Sequence, residues 1–356
     1  MSKKRVAIIC GGRSSEHPIS CISAKGVLGA IDGSKFEPIL IGITEKGAWV
    51  HLESATNFVT GSDGLPYVPE SAPAISADIK GFADANGQNL RIDLVFPLLH
   101  GAYGEDGTIQ GFLEMAGIPY VGSGVLASSV AMDKTFAKPI YADFGLKVAD
   151  GITVHQRDWM NNRALELAKI TALGLPIFVK PARSGSSRGT SKVKNESEIS
   201  AAITAAHEHD PRAMVEVAII GREIECAVLE VAGKATPSIV GEVRVHEPHE
   251  FYDFEAKYLD GSTSFDVPAN IPADVARKIS DAAVTAFEAL GCEGLARVDF
   301  FLTPENEIII NELNTMPGFT EKSVFPMLWQ ATGKSYTEII TQLCESALSR
   351  SQNVVR

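Results

Sequence analysis

The side chains best suited to chemistry are Asp299, Glu312 and Asn314, with Arg297 close by in the chain. Residues 295–302 are apolar except for Arg297 and Asp299. Residues 308–310 are a β-branched run that leads to Glu312 and Asn314. Residues two apart on a strand share a face, so Arg297 and Asp299 point one way, and Glu312 and Asn314 likewise point together. The intervening Thr303-Pro304-Glu305-Asn306 is turn chemistry and predicts a hairpin. Such a hairpin gathers two carboxylates and an amide oxygen around one guanidinium. Oxygen donors without thiols or imidazoles suit a hard cation such as Mg²⁺, which completes its shell with substrate phosphates. The set therefore calls for a nucleotide. The competing reading is a half-exposed hairpin with polar outward positions.

Other stretches supply what a nucleotide would need. Residues 176–180 predict a strand that ends in Lys180, and residues 181–190 follow as a loop rich in Gly and Ser. Small residues and free N–H groups let such a loop fold over phosphates, while lysine supplies a point charge. It is not a Walker loop, because residues 181–190 contain no G-K-[ST] sequence. Residues 5–10 predict a buried strand, Gly11-Gly-Arg-Ser-Ser-Glu16-His17 a turn, and residues 19–31 a helix whose N-terminus can hold an anion. Glu16 either favours that helix dipole or faces a ligand. Residues 92–99 predict another buried strand, which runs into His100 and a glycine-rich loop. Ligands bind at such strand ends in open α/β sheets.

These residues must be positioned by α/β architecture. Strands are expected at 36–44, 48–52, 119–122, 148–154, 213–219 and 221–231. Helices are expected at 107–115, around Met132-Asp133-Lys134, and at 159–173, 196–208, 273–290, 323–329 and 336–348. Residues 53–90 read as a surface excursion with little chemistry. Residues 244–268 are polar, aromatic and turn-rich, as in a lid that packs down. Within them His246 and His249 are three apart with Pro248 between, which does not fit the helical H-E-x-x-H zinc pattern.

The chain has 356 residues, 45% hydrophobic and 21% charged, enough for two or three domains. A net charge of −12 argues against a nucleic-acid partner. Five dispersed cysteines without a C-x-x-C pair read as small buried hydrophobes of a reducing compartment. No signal peptide or membrane span is apparent, so a cytoplasmic location is expected. A G-x-G-x-x-G fingerprint is absent, which disfavours a nicotinamide oxidoreductase.

Taken together the chain resembles the ATP-grasp ligases, and within them the D-alanine–D-alanine ligase family. The resemblance covers nearly the whole length. Its carriers are Gly11 to His17, His100-Gly-Ala-Tyr-Gly-Glu-Asp-Gly107, Phe178-Val-Lys-Pro181 with Gly185-Ser-Ser187, Glu255-Ala-Lys-Tyr258, Arg297-Val-Asp299 and Asn311-Glu-Leu-Asn-Thr-Met-Pro-Gly318. It implies a three-domain ATP-grasp fold, α/β and α+β. An N-terminal parallel α/β domain (1–122) would hold the first D-alanine. Central (123–217) and C-terminal (218–356) subdomains would clasp ATP between two sheets, under a lid at about 245–268. It implies that ATP phosphorylates the carboxylate of one D-alanine and that the amine of a second attacks the acyl phosphate. The dipeptide serves peptidoglycan assembly.

The resemblance also implies roles. Two Mg²⁺ (or Mn²⁺) would be held by Asp299, Glu312 and Asn314. Lys134, Lys180 and Ser187 would meet the phosphates of ATP. Glu216, Glu223, Val217 and Ile219 would meet the adenine and ribose. Glu16 would bind the first ammonium, and His100 lies near that carboxylate. Glu16, Ser186 and Tyr258 would form a chain that closes the lid. Lys257 and Ser323 would meet the second carboxylate, while Arg297 and the Gly318 N–H would stabilise the oxyanion. Tyr258 favours an amine over D-lactate as nucleophile. A homodimer is implied. Ser184 and Arg188 depart from the family's phosphate loop, which leaves its contacts open. The rivals are a ligase for another carboxylate and amine, a D-Ala-D-Lac ligase, and a nucleotide-binding module without catalysis.

Overall fold

The computed structural model describes residues 2–185, 188–246 and 263–350. Three sheets organise it. The first has the order β3-β2-β1-β8. Strand β1 (Lys4–Gly11) pairs in parallel with β2 (Phe36–Ile43), and β2 pairs antiparallel with β3 (Trp49–Leu52). Two small ribbons follow: β4 (Val59–Thr60) with β5 (Pro66–Tyr67), and β6 (Ser76–Asp78) with β7 (Gly81–Ala83). Then β8 (Leu94–Pro97) returns to the other edge of β1. Val6 to Cys10 are wholly buried, as a strand covered on both faces must be.

The stretch from 53 to 90 is less of a surface excursion than its composition suggests. Val68 enters the core on one face of the first sheet, and Phe82 enters the core on the other. The Val68 N–H also donates to His17 Nε2 at 3.0 Å. Residues 119–122 make only an isolated bridge, Val95 to Tyr120, not a strand.

The second sheet has the order β11-β10-β12-β9. It comprises β9 (Gly151–His155), β10 (Ile177–Pro181), β11 (Ser191–Val193) and β12 (Arg212–Val217), paired antiparallel. Its core draws only on residues 152–215, including Trp159 and Ile203 from the helices Gln156–Asn161 and Ile199–His207. A single helix expected at 159–173 is instead Gln156–Asn161 and Arg163–Thr171, broken at Asn162.

The third sheet has the order β15-β14-β13-β16-β17. Its strands are β13 (Arg222–Val231), β14 (Lys234–Val245), β15 (Thr263–Asp266), β16 (Leu295–Leu302) and β17 (Ile308–Asn314). The burial of β16 alternates: Ala296, Val298, Phe300 and Leu302 enter the core, and Arg297 and Asp299 face away from it. The helix Ala273–Ala289 covers that apolar face. Two expectations change here. Of the lid expected at about 245–268, Val245 belongs to β14 and residues 263–266 to β15, while residues 247–262 lie outside the described residues. Arg244 bonds Asp266 across these strands at 2.6 Å. The run Met132-Asp133-Lys134 is also not inside one helix. Asp133 ends Val125–Met132 and caps Lys134–Asp143, its carboxylate accepting from the Thr135 N–H at 3.1 Å. Both helices bury alanines and Tyr141 in the core of the third sheet, not of the second.

The first and third sheets share one core. Val6, Ile8 and Phe96 of the first pack with Ala227 and Leu229 of the third, and with Phe319, Phe325 and Leu343 from the end of the chain. The five cysteines are all buried and free. Among the described residues no helix is long and apolar enough to cross a membrane.

Candidate active site

A cavity of about 510 Å³ opens between the second and third sheets. Phe178, Lys180, Glu216, Val217 and Ile219 line it from one side, and Glu223, Asp299 and Glu312 from the other. Strand parity explains the set. Phe178 and Lys180 alternate with the core residues Ile177 and Val179 on β10, and Glu216 lies opposite Phe178 on β12. The helix Lys134–Asp143 adds Lys134 and Lys138, one turn apart on one face. Glu216 is almost fully buried between two cations, with Oε1 2.5 Å from Lys138 Nζ and Oε2 3.0 Å from Lys180 Nζ. Burial alone would raise its pKa, but the two ammonium groups hold it down at about 2. For Lys180, burial works against the charge, yet Glu216 outweighs it and lifts the pKa above its ordinary value. Lys138 is lowered, because burial dominates there.

The hairpin of β16 and β17 sits at one end of this cavity. Asp299 lies opposite Glu312 and Arg297 opposite Asn314. The Arg297 guanidinium donates to both oxygens of Asp299 at 2.7 Å, and its Nε lies 3.2 Å from Glu225 Oε2 on β13. Asn314 Nδ2 donates to Asp299 Oδ2 at 3.2 Å. Glu312 Oε2 is 3.2 Å from Lys134 Nζ, which also donates to the Ser184 carbonyl at 3.0 Å. A register shift between Asp299 and Phe300 leaves Asn311 outside the ladder. Its Oδ1 accepts from Lys180 Nζ at 3.3 Å.

A second, polar cavity of about 70 Å³ adjoins the first and shares Lys134, Ser184 and Glu312 with it. Glu16, His100, Glu105, Arg297, Asn314 and Gly318 line it. Gly101, at φ 72°, belongs to the left-handed region, and a Cβ there would lie 2.8 Å from Glu16 Oε2. Glycine thus allows the carboxylate to sit against the loop. His100 is buried, with Nδ1 3.0 Å from the Met316 carbonyl and Nε2 3.0 Å from Ser23 Oγ. Burial lowers its pKa, so the ring is neutral at pH 7. A carbonyl can only accept, so Nδ1–H donates to Met316 and Nε2 accepts from Ser23. Removal from water, with the Glu16 charge nearby, pushes Glu105 up to about 8, against the Gly101 N–H that donates to its Oε1 at 2.7 Å.

Two family models cover most of the chain: D-ala D-ala ligase N-terminus over residues 5–123 and D-ala D-ala ligase C-terminus over residues 140–345. A D-alanine–D-alanine ligase of an Arthrobacter species is 48% identical, across 98% of this chain and 95% of that protein. The one from Mycolicibacterium smegmatis is 46% identical, across 98% and 96%. The chain belongs to the D-alanine–D-alanine ligase family. Solved structures agree with that membership. The VanG D-Ala:D-Ser ligase from Enterococcus faecalis superposes with a TM-score of 0.84 at 36% identity, over 97% of this chain and all (100%) of that one. The D-alanine–D-alanine ligase from Coxiella burnetii gives 0.82 at 35% identity, over 98% and 96%. The three-sheet arrangement is the ATP-grasp fold of these ligases.

Most residues singled out for a D-alanine–D-alanine ligase converge on the two cavities. Ser323 does not line either, but its Oγ would lie 3.3 Å from a Cβ on Gly318, at the rim of the smaller one. Ser186, Ser187, Lys257 and Tyr258, with most of the expected lid, lie outside the described residues. Ser184 ties its own loop, its Oγ donating to the Arg188 carbonyl at 3.2 Å. Glu105, Lys138, Glu225 and Asn311 are among the lining residues that had no role from sequence. The spacing of Lys138 from Lys134 and of Glu225 from Glu223 was a usable signal. Asn311 was not readable, since simple alternation puts it on the opposite face from Glu312, and only the register shift brings it in.

Proposed function

We propose that this protein joins two D-alanines into D-alanyl-D-alanine at the expense of ATP, in the cytoplasm, for peptidoglycan precursor synthesis. The observation that carries the reading is the meeting of the two cavities at Lys134 and Glu312. A nucleotide lying between the sheets would bring its terminal phosphate to the place where a small amino acid is held.

In the first step a carboxylate oxygen of the first D-alanine attacks the terminal phosphorus and ADP departs. Glu16 takes the ammonium of that D-alanine, which orients its carboxylate toward Lys134. The neutral, doubly bonded His100 fixes the wall beside it. Lys134 and Lys180 offset the charge on the phosphate oxygens, with Ser187 assigned to the covering loop. Val217, Ile219, Glu216 and Glu223 form the base and ribose end. In the second step the amine of the next D-alanine attacks the acyl carbon, loses a proton, and inorganic phosphate leaves. Arg297 and the Gly318 N–H would hold the tetrahedral oxyanion. Ser186, Lys257, Ser323 and Tyr258 are assigned to the second substrate and lid.

Asp299, Glu312 and Asn314 fit Mg²⁺ or Mn²⁺, since they bring oxygen donors together on adjacent strands. Among the described residues the larger cavity is lined by five lysines and five carboxylates, which together do not balance a triphosphate. Two such cations would neutralise the phosphates. Arg297 pairs with Asp299 and Lys134 with Glu312.

The test is ADP release with D-alanine, ATP and Mg²⁺. Parallel reactions would use L-alanine alone, D-alanine with D-lactate, and D-alanine with D-serine, the last because one structural neighbour is a D-Ala:D-Ser ligase. Release with D-alanine alone, and formation of the dipeptide, is the expected outcome. No turnover without D-serine or D-lactate would move the assignment to a depsipeptide or mixed ligase. Sedimentation of the active enzyme would examine the expected homodimer.

A further inference from the structure

Among the described residues Lys138 is the one cation of the larger cavity that is nearly sealed from water, at 4% exposure. It sits one turn beyond Lys134 on the helix Lys134–Asp143, whose Ala137 and Tyr141 are fixed in the core of the third sheet. Its ammonium nevertheless crosses to the second sheet, 2.5 Å from Glu216 Oε1. Glu216 has little room to move. Gly151 is its partner on β9, and a Cβ at Gly151 would lie 3.1 Å from Glu216 Cγ. The other Glu216 oxygen takes Lys180 at 3.0 Å, and Lys180 reaches Asn311 on the third sheet. The result is a buried chain Lys138–Glu216–Lys180–Asn311 that runs from helix to second sheet to third sheet along the cavity wall.

We propose that Lys138 is a positioning residue for nucleotide binding, which satisfies Glu216 from behind so that the Lys180 ammonium can turn toward the phosphates. The inference rests on the assignment of the larger cavity to ATP. With Lys138 in place, Glu216 and its two lysines carry a net positive charge, and Lys180 supplies the surplus. Without it, Glu216 and Lys180 form a closed neutral pair inside a water-poor wall. A phosphate must then compete with a buried carboxylate for the same ammonium. A neutral apolar side chain at 138 fills the slot and keeps the helix packed, but leaves that competition in place. The lost interaction belongs to nucleotide binding, not to the small polar cavity, of which Lys138 is not a lining residue.

The experiment is direct ATP binding by calorimetry, together with ATP and D-alanine KM values, for the parent protein, Lys138→Met, Glu216→Gln and the double variant. Lys138→Met is expected to weaken ATP binding about tenfold while the D-alanine KM stays within twofold. If Lys138 acts through Glu216, the double variant binds ATP as Glu216→Gln does, because the competing carboxylate charge has already gone. Should Lys138→Met fail to fold, the double variant, which has no buried anion left to satisfy, carries the comparison: binding equal to that of Glu216→Gln supports the role. Parent-like ATP affinity in Lys138→Met overturns the proposal, and so does a double variant weaker than Glu216→Gln by the full factor lost in Lys138→Met. A parent protein that binds no ATP would instead overturn the assignment of the cavity.

Discussion

Glu312 belongs to both cavities and holds Lys134 at 3.2 Å, so its charge is asked to serve two partners. Glu312→Gln keeps the shape and removes the charge. Turnover, followed as ADP release, is expected to fall by roughly two orders of magnitude or more, with thermal unfolding little changed. Near-normal turnover would sink the assignment of this group to the phosphate and metal end. Glu105 offers a test in pH instead. Its folded pKa lies near 8, above the ordinary carboxyl value. Between those values the folded protein binds more protons than the unfolded chain, so stability falls as pH rises through that window. Below it both states are protonated and the burden vanishes. Glu105→Gln is therefore expected to unfold a few degrees higher than the parent at pH 9, with the gap closing toward pH 5. An equal gap at both pH values would mean that the carboxyl is not the cause. Asp299, Glu312, Asn314 and Arg297 were legible from their types and strand parity, whereas Glu16, at the start of the helix His17–Ala30, took its role only from the family resemblance. Glu105 was not legible, because its perturbation comes from enclosure by residues far apart in sequence.

At the scale of elements, the site depends on strands with one apolar and one polar face. Strand β16 was readable because Arg297 and Asp299 interrupt an apolar run two residues apart. Strand β14 was not anticipated over most of its length, where Pro237 and Gly241 blur the alternation. Tertiary pairing with β13 and β15 decides it. The helix Lys134–Asp143 carries two lysines of the site and is anchored by Tyr141, at 1% exposure. Among the described residues the Tyr141 hydroxyl finds no hydrogen-bond partner. Tyr141→Phe is accordingly expected to be neutral or stabilising by up to about 1 kcal/mol. Tyr141→Ala, which leaves a cavity, is expected to cost roughly 3–5 kcal/mol. Chemical denaturation of both variants compares them, and a large loss in Tyr141→Phe would reveal a bond for that hydroxyl.

For the whole molecule, the resemblance in sequence gave three units, but their physical connection is uneven. The second sheet has a core of its own, while the first and third sheets share one. Phe319 is the hub of the shared core, its ring 5.5 Å from that of Phe96 and 5.7 Å from that of Tyr336. Its backbone is held as well, the Tyr336 hydroxyl donating to the Phe319 carbonyl at 2.7 Å. Native-state hydrogen exchange should therefore give the slowest amides of β1 and β13 a common opening free energy, and those of β10 and β12 a separate one. A single value for all three sheets would contradict that division.

The shared core also sets an order on biosynthesis. The first sheet is made of residues 4–97, yet many of the aromatic and aliphatic side chains that close one of its faces come from residues 316–347. While the ribosome is still translating, that face is covered only in part, by Cys21, Ala24 and Val27 of the helix His17–Ala30 and by Val68. The nascent chain must carry it, partly exposed, through the synthesis of two further sheets. Early folding of the amino-terminal third then stops at a partly open intermediate. The final collapse waits for residues 316–347, and holdase chaperones have their longest opportunity to bind in that interval.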